Sequence, residues 1–178
     1  MDFVLAGYFP KDVELRPDWL ADPRVEQICS VSKCISKGPK GWIDLWLHND
    51  LGWYDSPEIA RRAIPKDGRG FQVLAYWILP VVVQRATRKP LQLPELSVSP
   101  MPATFELLGF DVVSKSASDF FECSPLSCCN LASEFPVNRY CLLETRDAAE
   151  AAAEQFAREE PEPGPYYIFQ VWRDAAGP

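Results

Sequence analysis

The chain has 178 residues, 47% of them hydrophobic and 24% charged, a balance that excludes a disordered chain. That length holds one ordinary domain or two small ones joined closely. The net charge of −7 is uneven: residues 1–94 carry 13 Lys and Arg against 11 Asp and Glu, and residues 95–178 carry 5 against 14. An acidic second half argues against non-specific nucleic-acid binding and for a basic protein partner.

In chain order, the first predicted strand lies at about Phe3–Phe9, followed by a Pro- and Asp-rich excursion with a short helix from Pro17 or Pro23. Trp42-Ile-Asp-Leu-Trp-Leu47 alternates like a half-buried strand. Ser56-Pro57-Glu58 is a helix start, with Ser as N-cap, Pro in the first turn and an acid at the positive end of the dipole; Pro65 stops that helix. Asp67-Gly-Arg-Gly70 then turns the chain into a strand at Phe71–Leu79. From Arg85 to Ala103 the prolines exclude regular helix and favour an extended strap.

The same order recurs beyond the strap. A strand at Thr104–Val113 carries Gly109-Phe110 where the first carries Gly7-Tyr8. A strand near Val137–Leu143 follows, then a Thr145-capped helix rich in Ala and Glu, ended by Pro161-Glu-Pro-Gly-Pro165, and a last strand at Tyr166–Arg173. Cys29-Ser-Val-Ser-Lys-Cys34 is echoed by Cys123-Ser-Pro-Leu-Ser-Cys128, with Trp77 43 positions after Cys34 and Trp172 44 positions after Cys128. Asn49 to Ser56 also aligns without gaps on Asn138 to Thr145: Asn, three variable positions, two bulky apolar residues, an acid and a hydroxyl N-cap.

Such self-similarity predicts an α+β fold of two β-β-α-β modules, residues 1–87 and 104–178, joined by a Pro-rich linker at 88–103. They would form a pseudo-symmetric, antiparallel or mixed sheet assembly with helices on one face of each. The longest apolar run, Phe71 to Val83, is interrupted by Gln72 and Pro80 and is far short of the roughly 20 residues of a membrane span. The start has no basic and apolar leader pattern, so a cytoplasmic protein with reduced thiols is expected.

Matched cysteine pairs suggest one tetrahedral zinc ion held by Cys29, Cys34, Cys123 and Cys128, although Cys-x4-Cys is wider than the usual knuckle. Buried structural thiols flanked by capping serines, or a bridge within each pair, are the alternatives. The only histidine, His48, could serve Cys29, Cys34 or Cys141 in a thiol-dependent enzyme, but module two has Val137 at the matching position. No phosphate loop, dinucleotide fingerprint, zinc-protease helix or nucleophile elbow is present.

The leading expectation is therefore a non-catalytic binding or regulatory protein of immunity type, with no catalytic residue assigned. It would engage a protein partner, basic in charge, through an acidic, aromatic-bearing surface: Glu150, Glu154 and Glu159 as electrostatic contacts, Tyr166 and Tyr167 as anchors. A zinc-stabilised structural module is the second expectation and a thiol enzyme the third.

Overall fold

The computed structural model describes residues 1–14, 16–32, 34–35, 47–85, 87–115, 121 and 123–175. The predicted strand at 42–47 lies, except for Leu47, outside the described residues. Among the described residues, segments rich in β-branched and aromatic residues form five strands: β1 (Val4–Asp12), β2 (Phe71–Gln84), β3 (Thr87–Pro90), β4 (Phe105–Ser114) and β5 (Tyr166–Asp174). All pairings are antiparallel, in the order β1-β2-β5-β4, with β3 added to the end of β2. Both halves of the chain thus share one open, sheet-dominated α+β architecture.

The two outer strand pairs have matching registers. Gly7, Tyr8, Phe9 and Lys11 of β1 face Tyr76, Ala75, Leu74 and Gln72 of β2. Gly109, Phe110, Asp111 and Val113 of β4 face Val171, Gln170, Phe169 and Tyr167 of β5. Each has its register shift immediately before the glycine. In the central pairing, Tyr76 faces Val171 and is flanked by Ala75 opposite Trp172 and Trp77 opposite Gln170.

Gly7 (φ +146°) and Gly109 (φ +149°) sit where a second segment crosses the outer strand. A Cβ at Gly7 would come within 2.7 Å of Trp53 Cβ, and one at Gly109 within 2.7 Å of the Leu143 carbonyl. The crossing segments are held by two asparagines. Asn49 donates to the Ala6 carbonyl at 2.9 Å and accepts from the amides of Leu51 and Trp53. Asn138 donates to the Leu108 carbonyl at 2.7 Å and accepts from Tyr140 and Leu142. Tyr8 and Tyr54 exchange both backbone hydrogen bonds, as do Phe110 and Leu143.

This corrects the predicted strand at Val137–Leu143, which is a loop touching β4 through a single bridge. The Asn138 side chain takes the amide donors that a ladder would have used.

Ser56 and Thr145 each accept from the amide three residues on, at 3.2 Å, and start α1 (Pro57–Arg62) and α3 (Arg146–Glu159). Successive strand residues point to opposite faces. Phe156 of α3 packs on Tyr166 at 5.8 Å, and Arg61 of α1 pairs with Asp174, so both helices cover the even-numbered face of β5. The strap after β3 covers part of the core with Leu91, Leu93, Leu96, Val98 and Met101, and its Ser99 carbonyl accepts from the Tyr8 hydroxyl at 2.9 Å.

On the opposite face the connections after β1 and β4 meet. Trp53 stacks on Phe121 at 5.1 Å, and both rings stand edge-on to Phe169. No short helix forms at Pro17 or Pro23. The Arg16 guanidinium draws the Leu20, Asp22 and Val25 carbonyls to itself, and the backbone makes only isolated turns, Leu20 N–H to Pro17 and Val25 N–H to Asp22. A four-residue helix that the sequence reading missed, α2 (Pro125–Cys128), lies instead inside the second cysteine loop. Among the described residues no helix is long and apolar enough to cross a membrane.

Candidate functional site

Two charged residues lie buried in the sheet face under the cysteine loops. Lys11 is 1% exposed and donates from Nζ to the carbonyls of Ser30 and Ser32, the latter at 2.7 Å. Asp111 is fully buried. Its Oδ2 accepts from Ser30 Oγ and the Val31 amide, both at 2.8 Å, and its Oδ1 from Ser124 Oγ at 2.7 Å. One carboxylate therefore ties the first cysteine loop to the second.

Burial pushes the Asp111 carboxyl up and the Lys11 ammonium down to about 8; hydrogen bonds oppose the first shift and the mutual attraction opposes both. Neither charge has a counterpart at the equivalent register position: Val113 stands where the other strand pair has Lys11, and Phe9 where the other has Asp111.

The network continues outward to the thiols. The Ser32 backbone N–H donates a hydrogen bond to Ser30 Oγ at 3.0 Å; the Ser32 Oγ accepts from the Cys34 amide and lies 3.2 Å from Cys128 Sγ. The Sγ atoms of Cys34 and Cys123 are 2.9 Å apart. Sulfur atoms of Cys34, Cys123 and Cys128 all lie within 4.8 Å of one another, with Cys34 exposed and the others half-buried. The loops thus meet across the halves of the chain, and all six cysteines are free thiols.

Cys29 lies outside this group, in the hydrophobic core, where burial pushes its thiol up to about 12. The four-ligand set expected from the sequence is reduced to three, because alternation along 29–31 sends Cys29 and Val31 inward and Ser30 to Asp111. Burial also raises the thiols of Cys123, Cys128 and Cys141, and raises Cys129 to about 12, with a donated hydrogen bond to Glu162 (3.2 Å) adding to the last. Raised thiol pKa values disfavour nucleophilic thiolates at neutral pH. His48 packs against Phe9 and, edge-on at 4.5 Å, against Tyr54.

The expected partner contacts are placed differently from one another. Tyr166 and Tyr167 are 1% and 8% exposed, so they are core residues and present no anchor to a partner. Glu150 is held by Arg88 and Arg146, Glu154 by Arg88, and Glu159 accepts from Gln155.

The sequence reading missed Trp19, which is 56% exposed. Its indole donates to the Ser127 carbonyl of α2 at 3.3 Å, and its loop is fixed by Arg16 and by Arg24, which binds Asp22 and the Ala132 carbonyl. Cys129, one residue beyond α2, touches Glu162 in the segment that follows α3. A tryptophan isolated between Pro17 and Pro23 was the available signal.

The fold and site together define an antiparallel α+β sheet protein with a three-thiol cluster over a buried Lys–Asp network. Comparison with family models, with curated proteins and with solved structures found no match to this chain.

Proposed function

We propose that this chain is a non-catalytic binding protein of regulatory, immunity-like type. It acts in the cytoplasm on a basic protein partner, and is built from two copies of one β-β-α-β unit. The carrying observation is Trp19: a large aromatic held more than half exposed on a loop locked by two arginines. Rigid, exposed aromatics lose little entropy on docking and dominate binding energy at interfaces.

The charges next to Trp19 in sequence are of both signs, with Arg16, Asp18 and Arg24 exposed, and the acidic share comes from the end of α3 and the segment after it. Asp18, Glu159 and Glu160 are exposed and Glu162 is half-buried. Glu159 and the C-cap Glu160 also stand at the negative end of the α3 dipole, a placement that costs helix stability and is consistent with selection for an external contact. Glu150 and Glu154, neutralised by Arg88, are supporting and not contacting residues. Duplication is supported by the equal strand-pair registers, the two crossing asparagines and the two positive-φ glycines.

Affinity capture with the wild-type chain, Trp19→Ala and a Glu159→Lys/Glu160→Lys pair tests this reading. A captured protein, once purified, should bind either variant at least about tenfold more weakly than wild type, the loss of one hot-spot residue. Equal affinity of wild type and both variants, with unchanged melting temperatures, would discard this surface.

A further inference from the structure

We infer that Cys34, Cys123 and Cys128 form a three-thiolate site for one thiophilic divalent cation, zinc being the physiological choice, which clasps the two cysteine loops together. This rests on the thiol geometry and is independent of the partner surface.

Three sulfurs from two loops, 89 residues apart between Cys34 and Cys123, converge within 4.8 Å. Four sulfurs around zinc at bonds of about 2.3 Å are separated by roughly 3.8 Å, so the required adjustment is a fraction of an ångström to about one. Soft thiolates with no competing carboxylate in the group select zinc over magnesium or calcium.

A support for the ligands is already built. Ser32 Oγ bonds Cys128 Sγ, and the chain of bonds from Ser32 through Ser30 to Asp111 fixes that hydroxyl in a buried setting. Such outer partners orient metal ligands and are themselves worth much of the affinity. The buried Lys11 ammonium, which feels Cys128, offsets the net negative charge that three thiolates leave on a divalent ion. Cys29 and Cys141, buried in apolar surroundings, take no part. Binding displaces three thiol protons to solvent, and the fourth position is left to water.

The test uses reduced, metal-stripped full-length protein titrated with Co2+ and with Zn2+. The expected result is one equivalent per chain by native mass spectrometry and a thiolate-to-cobalt charge-transfer band. The band should be lost in Cys34→Ser, a substitution at an exposed position, and in Cys123→Ser. It should persist in Cys141→Ala. Ser32→Ala should weaken Zn2+ binding about 10- to 100-fold without changing stoichiometry, as loss of an outer-shell partner does. Absence of the band in the wild type would overturn the site, as would an equal band in wild type and Cys34→Ser. So would spontaneous closure of a Cys34–Cys123 disulfide that metal does not prevent.

Discussion

Asp111→Ala is expected to destabilise the fold by about 3–5 kcal/mol, because it removes one charge of a buried network and leaves the other uncompensated. Four donors, Ser30 Oγ, the Val31 and Val112 amides and Ser124 Oγ, lose their acceptor together, and the Lys11 ammonium stays buried without the carboxylate. Urea unfolding with the midpoint and slope both fitted measures the change. Adding Lys11→Met to the Asp111→Ala chain should restore part of the loss, since the remaining defect is then an unmet hydrogen bond and not a buried charge.

Lys11 also has a pH signature. Its folded pKa, depressed by burial from 10.5 to about 8, means the unfolded chain binds more protons between those values. Stability contributed by this group therefore rises as pH goes from about 8 to about 10.5. Wild type minus Lys11→Met should show that upward slope, the subtraction removing the falling contribution of the thiols and tyrosines, whose raised folded pKa values work in the opposite direction in both chains. A melting temperature for Asp111→Ala within about one degree of wild type would show that the carboxylate holds nothing, given the several degrees that 1 kcal/mol is worth in a domain this size.

Trp53→Ala should cost about 3–5 kcal/mol, the range for truncating a buried aromatic. Trp53 is 1% exposed and its ring contacts Phe121, Tyr76 and Phe169, so it joins the connection after β1 to that after β4 and to both central strands. The cavity cannot collapse easily, since its walls belong to three separate elements. Truncation should also loosen Phe121, so amide exchange should accelerate at Phe121 and Cys123 as well as near residue 53. A stability loss under about 1 kcal/mol, the level of a surface change, would mean that the aromatic cluster does not organise this face.

Much of the scaffold was legible in the sequence. Hydroxyl residues before Pro57 and Arg146 marked both main helices, and the runs from Phe71 and Tyr166 were too β-prone for anything else. The gapless match of Asn49–Ser56 with Asn138–Thr145 pointed to residues that make the same set of hydrogen bonds, although it read as strand what Asn138 turns into a loop.

The buried charges were not read, because composition treats Lys and Asp as surface residues. Asp111, a single acid among Phe110, Val112 and Val113 in a strand, was nevertheless a visible sign of an interior carboxylate. The tyrosine anchors failed for a related reason. Aromatic strands next to an acidic helix read as a surface, but β5 is a central strand covered on both faces. The shared-ion reading already set the two cysteine loops against each other, but it counted Cys29, which is turned into the core. What the sequence did not show is the means: the serine bonds to Asp111 hold the loops to each other.

The central claim is that the loops following β1 and β4 face one another through their thiols. A short-span thiol-to-thiol cross-linker applied to the reduced native chain, followed by peptide mapping, tests it most directly. The predicted product joins the Cys34 peptide to a peptide containing Cys123 or Cys128, and it disappears in denaturant. Cross-links confined to Cys29 and Cys34, or identical products from native and unfolded chain, would contradict the account.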